Sequence, residues 1–426
     1  MVTNHKPTCD YPFLETVWIL IMSTKDELSL TLYHYLSRII GAEDIVKTRQ
    51  NTFKVMDFVM NDNDGFTFIS SGSKAEEECL LNKLILRKEI LSQGVSCLRA
   101  QKFGNVIIST GSRAEGLDLK GSDFDVMNML DDCQVHENIN NVINGPLKVP
   151  ILMETNDTKP GFTKLKVYPI FNRLPILSNM VETLGEETFI SSKRFRESFL
   201  SPGQIIHGPC LSDSSASVDV AICLRCKEWI TIAQPWIKRP RSTWPDYKVI
   251  ASIVQYGVLF VPIGYKHSPN ENMEWRISFS MAEKQLIYSF SHTQLLCYAL
   301  LKIILKDIIK PKHGDLICSY FLKTIMFWLS EESYPSDWKP ESFLSCFLNC
   351  LRRLNYCVEY KTCLHYFIPE YNLFEDRFTD DQQVTLLNTL QLIYISPWTE
   401  AIDRHKKRIT DLAKAEKKTD GSSSSD

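Results

Sequence analysis

The sequence predicts an α+β protein of two lobes: a mixed β-sheet lobe carrying a long spine helix, and a helical lobe towards the C-terminus. Three observations predict it. Apolar residues recur at helical spacing before residue 100, the pattern changes to short apolar strands from Asn105, and it turns helical again beyond Glu283. A chain of 426 residues is also too long for one simple core.

Taken in order, residues 25–60 place Leu28, Leu32, Tyr35, Leu36, Ile39 and Ile40 on one helical face, with Gly41 as the stop. The spine helix reads from about Ala75 to Leu98. Leu80, Leu81, Leu84, Ile85, Ile90 and Leu91 lie on one side of it and Lys83, Arg87, Lys88 and Glu89 on the other. Val106, Ile107 and Ile108 then run as a strand into Ser109-Thr110-Gly111-Ser112, and Phe124–Leu130 and Val218–Leu224 read as further strands. The helical lobe is carried by Leu295–Ile309, Leu316–Leu329, Phe343–Leu354 and Gln382–Ile395. The expected division is an N-terminal helical extension over 1–74, the core lobe over 75–282, the helical lobe over 283–400 and a polar, disordered tail over 401–426.

Composition is that of an ordinary globular protein, with 44% hydrophobic and 23% charged residues, so no extensive disorder is expected. The apolar run Val17–Met22 follows Asp10 and Glu15 and precedes no small-residue cleavage site, so no signal peptide is expected. No run approaches the ~18 apolar residues of a membrane span. A cytoplasmic protein keeps thiols reduced, and 13 cysteines without a regular framework fit that. The formal charge of −3 excludes a uniformly basic nucleic-acid binder but leaves room for a local basic face.

The informative string is Thr110-Gly111-Ser112 followed, after ten residues, by Asp123-Phe124-Asp125-Val126. Gly111 permits close backbone approach, and Ser112 opens a turn or helix whose N–H and O–H groups suit a triphosphate. Residues i and i+2 of a strand share a face, roughly 6.5 to 7 Å apart, so Asp123 and Asp125 would present paired carboxylates. A solvated Asp-x-Asp on an edge strand remains open on spacing alone. Two-metal phosphoryl transfer needs a third carboxylate. Asp219 is the candidate, because Val218, Val220 and Ile222 occupy the other face of its strand. Like charges about 4 Å apart repel by roughly 4 kcal/mol at an effective dielectric of 20, so three converging carboxylates call for dications. Oxygen ligands favour two Mg²⁺ or Mn²⁺ ions over zinc.

On these residues the chain resembles the cyclic GMP-AMP synthase-like receptors of animals, within the male-abnormal family of nucleotidyltransferase-fold proteins. The resemblance covers roughly residues 75–400. It is carried by GSRAEGLDLKGSDFDVM (111–127), HGPC (207–210), VDVAICLRCKEW (218–229), VPIGYK (261–266), EWRISFSMAEKQLI (274–287), LLKIILK (300–306), CSYFLKTIMFW (318–328) and YFIPEYNLF (366–374). It implies a bilobed nucleotidyltransferase fold and a metal-binding triad of Asp123, Asp125 and Asp219. Asp219 would also help to deprotonate the acceptor hydroxyl, and Gly111 and Ser112 would hold the donor phosphates. It further implies that Arg276, Ser278 and Ser280 line the acceptor pocket, that Lys302 and Ser319 reach phosphate, and that the Tyr320 ring stacks on a base. Ordinary packing and a structural ion pair remain open for Tyr320 and Arg276.

The implied activity is a nucleic-acid-activated synthesis of a cyclic dinucleotide from ATP and GTP or related triphosphates, in innate immune sensing. Two other readings are a catalytically silent nucleotide-binding or interaction scaffold of the same fold, and a template-free polymerase tailing RNA. The zinc-binding insertion of cyclic GMP-AMP synthase has no counterpart, only Ser289–Tyr298 standing in its place. His292 and Cys297 cannot complete a four-ligand site there. Long double-stranded RNA is therefore at least as good an activator candidate as DNA and slightly favoured, with a dimer on the nucleic acid left open.

His207-x-x-Cys210 and Cys223-x-x-Cys226 have a zinc-ribbon-like spacing. No zinc is expected, because Cys226 would need to turn back to meet Cys223 on the Asp219 strand. Cys346, Cys350, Cys357 and Cys363 read as core. Lys83, Arg87 and Lys88, Lys193, Arg194 and Arg196, and Lys238 and Arg239 (with Arg241) are the candidate nucleic-acid contacts.

Overall fold

A computed structural model of the chain describes residues 25–61, 105–119, 122–138, 148–168, 177–213, 218–241 and 243–395. The expected spine helix, with Lys83, Arg87 and Lys88, lies outside these residues, as do the N-terminal apolar run and the polar tail. In chain order the helices are α1 (Lys25–Ile40), α2 (Glu43–Asn61), α3 (Gly111–Ala114), α4 (Ser192–Ser198), α5 (Gln234–Lys238), α6 (Tyr247–Tyr256), α7 (Ser280–Tyr288), α8 (His292–Ile304), α9 (Ser319–Glu332), α10 (Phe343–Glu359) and α11 (Asp380–Ile395), leaving out very short turns. The strands are β1 (Asn105–Thr110), β2 (Phe124–Leu130), β3 (Cys133–His136), β4 (Val149–Glu154), β5 (Phe162–Val167), β6 (Val181–Leu184), β7 (Glu187–Ile190), β8 (Ile205–His207), β9 (Cys210–Ser212), β10 (Val218–Cys226), β11 (Val258–Val261) and β12 (Glu274–Ser278).

The chain divides into two units. One lies within Ile40–Phe290 and Tyr366–Tyr371, the other within Met1–Ile39, Ser291–His365 and Asn372–Asp426. The first holds a mixed sheet in the order β1-β2-β10-β11-β12-β5-β4-β3, with a further pairing of β10 with β3. β2 and β10 run parallel side by side, and their nearly unbroken apolar sequences are buried along most of their length, as befits central strands covered on both faces. Ile108, Met127, Met129, Ala221, Cys223, Leu259 and Val261 pack together on one face. The expected strands at Phe124–Leu130 and Val218–Leu224 are present, the second running on to Cys226. Cys223 and Cys226, three residues apart on one continuous strand, therefore point to opposite faces.

The other unit is helical. α8 is buried nearly all round, and its start is fixed by a capping box between Ser291 and Gln294. The expected helix Leu295–Ile309 widens to a π turn over Leu305–Ile309, just ahead of Pro311, whose ring and missing N–H disrupt regular helix hydrogen bonding. α10 buries Phe343, Phe347, Cys350, Leu351, Leu354 and Val358 at helical spacing. Of the four cysteines expected in the core, Cys346, Cys350, Cys357 and Cys363 are all buried. Helix α1 stops at Ile40, and Gly41 takes a φ of +119°.

Between α6 and β11, Gly257 has a φ of +83°. A methyl group there would overlap the Cys226 carbonyl oxygen and come within 2.7 Å of the Lys227 carbonyl carbon. Gly257→Ala is expected to destabilise the sheet unit by at least about 2 kcal/mol, through a left-handed backbone plus a main-chain clash. An unchanged urea midpoint would show that the turn relaxes freely.

Candidate active site

β2 and β10 are in parallel register with Asp219 opposite Asp125 and Val220 opposite Val126. Asp123 lies one residue ahead of β2, so it enters from the loop rather than the strand proper. Carboxylate oxygens of Asp123, Asp125 and Asp219 all lie within 4.8 Å of one another. Asp123 is exposed, Asp125 half-buried and Asp219 buried, so the group opens to solvent on one side. The triad expected from sequence therefore converges.

On the other side of β2, Thr110 at the end of β1 pairs with Asp125. Gly111 follows with a φ of +71°. A Cβ there would overlap Asp125 Oδ2 and lie 2.6 Å from its Cγ, so only glycine lets the turn pass this close to the carboxylate. Gly111 and Ser112 open the short α3, which puts the turn and the carboxylates at one sheet edge.

Two neighbours of Asp219 were not placed beside it from sequence: Ser212 was not singled out, and His207 was noted only for its spacing to Cys210. Ser212, opposite Asp219 in the β9–β10 pairing, donates its hydroxyl to Asp219 Oδ1 at 2.5 Å. The exposed His207 places Nδ1 3.7 Å from Asp219 Oδ2. Both sit on the β8–β9 hairpin, and only that hairpin's pairing with β10 reveals them. The Cys210 thiol is pushed up to about 12 by burial first and then by the charges of Asp219 and Asp125, with Arg276 acting in the opposite direction. Cys210 is thus a protonated thiol in the field of the triad, and the Arg276 guanidinium belongs to the same electrostatic neighbourhood.

The other expected nucleotide contacts fall on both units. Arg276 is exposed on β12 and Ser278 half-buried beside it, while Ser280 begins α7, its buried hydroxyl having no hydrogen-bond partner among the described residues. On the helical unit, Lys302 lies 5.3 Å over the Tyr298 ring, Ser319 is exposed, and Tyr320 shares a 2.7 Å hydrogen bond between its hydroxyl and His365 Nε2.

Among the expected nucleic-acid contacts, Lys193 and Lys238 are exposed. Arg194 pairs with Glu182 at 3.0 Å and donates to the Val181 carbonyl. Arg196 donates to the Gly208 carbonyl at 2.6 Å. Arg239 donates to the Tyr366 carbonyl and stacks 4.7 Å from its ring. No described helix is long and apolar enough to cross a membrane.

Residues 207–289 match the family model of the Mab-21 protein nucleotidyltransferase domain, and residues 294–392 match that of the Mab-21 protein HhH/H2TH-like domain. The chain is 27% identical to cyclic GMP-AMP synthase of Mus musculus over 188 residues, which is 40% of this chain and 37% of that protein. It is 28% identical to protein mab-21-like 3 of Danio rerio over 156 residues, 34% of this chain and 38% of that one. With cyclic GMP-AMP synthase of Sus scrofa it shares 27% over 184 residues, 38% of this chain and 37% of the other. The matched stretches thus span well under half the length of these relatives. A mixed sheet followed by a helical domain of these matches defines a nucleotidyltransferase-fold protein. The chain thus carries the nucleotidyltransferase and HhH/H2TH-like domains of the Mab-21 family and is similar to cyclic GMP-AMP synthase and mab-21-like proteins.

Three mutually repelling carboxylates weaken the metal-free fold. Asp123→Asn, at the exposed corner of the triad, is expected to raise the melting temperature in EDTA by about 2 °C or more. It should also shrink the further rise that Mg²⁺ or Mn²⁺ gives the parent. Melting curves that do not distinguish the two proteins under either condition would refute mutual repulsion.

Proposed function

We propose that the chain is a nucleotidyltransferase that joins ATP and GTP, or related nucleoside triphosphates, into a cyclic dinucleotide when double-stranded nucleic acid binds, as a sensor in innate immunity. One observation carries this reading: three carboxylates within 4.8 Å of one another, beside a glycine turn that touches one of them. The donor set fits a pair of hard divalent cations, because every candidate ligand is a carboxylate oxygen. Such ions, when bound, neutralise charge on the phosphates and on the attacking oxygen.

In this reading the side chains act mainly by positioning. Asp123, Asp125 and Asp219 hold the metals, and Asp219 also takes the proton of the acceptor hydroxyl. The Ser212 hydrogen bond fixes the Asp219 carboxylate. Gly111 and Ser112 hold the donor phosphates, while Arg276, Ser278 and Ser280 line the acceptor pocket. Lys302 and Ser319 contact phosphate, and Tyr320 stacks on a base. The similarity to relatives named cyclic GMP-AMP synthase supports a cyclic product, and the exposed Lys193 and Lys238 are candidates to meet nucleic-acid phosphate. Similarity to protein mab-21-like 3 favours the second reading, a scaffold of the same fold without turnover.

Incubating the purified protein with Mg²⁺, the four nucleoside triphosphates and long double-stranded RNA or DNA is expected to yield a cyclic dinucleotide by mass spectrometry, RNA being at least as effective as DNA. Asp125→Ala is expected to lower the yield by at least ~1,000-fold, since a metal ligand contributes several kcal/mol to the transition state. Full yield from that variant discredits the site. No product from the parent with any activator favours the scaffold, and extended RNA would identify a tailing enzyme.

A further inference from the structure

Among the described residues, strand β1 is the last strand at its end of the sheet, and its outer backbone groups have no described strand beside them. At Ser109, which is fully buried, side chains take that place. Lys284, on α7 and 5% exposed, donates to the Ser109 carbonyl at 2.8 Å and to Asp57 Oδ2 at 2.7 Å. The other Asp57 oxygen, Oδ1, accepts the Ser109 backbone N–H at 2.8 Å. A carboxylate from α2 and an ammonium from α7 thus grip the peptide groups flanking one Cα, two residues ahead of Gly111.

The far side of the turn is gripped by the same two helices. The Tyr288 hydroxyl, one helical turn beyond Lys284, donates to the Ala114 carbonyl at 2.7 Å. Gln50 on α2 donates its amide to the Glu115 carbonyl at 2.9 Å. Burial keeps the Tyr288 phenol protonated, because desolvation and then the Asp57 and Glu115 charges push its pKa well up. It is therefore a permanent donor. Residues 109, 114 and 115 are all tied to α2 or α7, and Gly111 and Ser112 lie between them.

We propose that Asp57, Lys284, Tyr288 and Gln50 form a positioning clamp that sets the distance of the Gly111-Ser112 turn from Asp125. None of them touches the reacting atoms in this proposal. It rests on the reading of the turn as the holder of donor phosphates. Gly111 is in contact with Asp125 and has no slack on that side, so movement of the turn away from the carboxylate is what the clamp must prevent. A displacement of about 1 Å is enough to cost a large factor in rate.

The test separates positioning from bare stability. Lys284→Met leaves the Asp57 carboxylate without its cation and is expected to lower the melting temperature. The charge-free pair Asp57→Leu with Lys284→Met is expected to recover it to within about 3 °C of the parent. In that double variant, backbone amides of Ser109–Ala114 are expected to exchange hydrogen at least ~10-fold faster than in the parent. The kcat/KM for nucleoside triphosphate should fall by at least ~10-fold. Tyr288→Phe keeps the ring and loses one bond, and should move both readouts in the same direction by about threefold. It keeps the test open should the double variant fail to fold. Exchange and kcat/KM at parental values in a folded double variant, or in Tyr288→Phe, overturn the clamp. If the parent makes no product with any activator, the proposed function falls, and the amide exchange still decides the clamp.

Discussion

Three carboxylates held within 4.8 Å of one another repel, and the sheet must hold them together against that repulsion. The parallel pairing of β2 with β10 does so. It fixes Asp219 opposite Asp125 through backbone bonds that do not depend on the side chains, and it buries the neighbouring Val126 and Val220. A one-residue slip would send Asp219 to the opposite face and bring a valine into the site. Register, set by apolar packing along two central strands, is the condition on which the acidic site depends. Ser212 helps to hold Asp219 in place by donating its hydroxyl to the carboxylate.

The same sheet edge explains the glycine. β1 delivers Thr110 next to Asp125, and the chain must then leave the sheet without colliding with that carboxylate. Only a residue without a Cβ and with a left-handed backbone meets both demands. The Ser109 peptide groups and the Ala114 and Glu115 carbonyls are held by side chains of α2 and α7. The edge strand has exchanged strand pairing for ion-pair and phenol contacts, which fix the turn through side-chain shape.

The fold class was legible because each long element carries a strong period: Leu32 and Leu36 on α1, Phe343 to Val358 on α10, and the apolar runs of β2 and β10. The short strands were not. β6 (VETL) is half exposed and β8 (IIH) wholly so, and their strand pairing comes from hairpin partners that supply hydrogen bonds. Asp123 and Asp125 were legible from their spacing, and Asp219 from its alternation with valines, but the convergence itself depends on a parallel pairing between strands about 90 residues apart, which no local pattern records. Nothing in the local sequence, with Glu283 and Gln285 on either side, marks Lys284 as buried. Its burial follows from Asp57, 227 residues away in sequence. The zinc-like spacing of Cys223 and Cys226 was discounted from sequence because a metal site there needs a turn, and the strand runs on without one through Cys226.

Charge counted along a sequence is not charge available to a partner. Arg194, Arg196, Arg239 and Arg241 all look like phosphate contacts in the sequence, yet each donates to a main-chain carbonyl. Two also lie over aromatic rings. A planar guanidinium with several donors suits such internal bracing, whereas lysine's compact ammonium on a flexible stem stays hydrated. Among the described members of these basic clusters, Lys193 and Lys238 are exposed, while the exposed Arg194 is already paired with Glu182. Each phosphate neutralised adds about 0.9 to the logarithmic salt slope, so two lysines account for only a shallow dependence. A steep one would require further cations acting together, because arginines committed to carbonyls cannot turn outward without leaving those carbonyls unsatisfied.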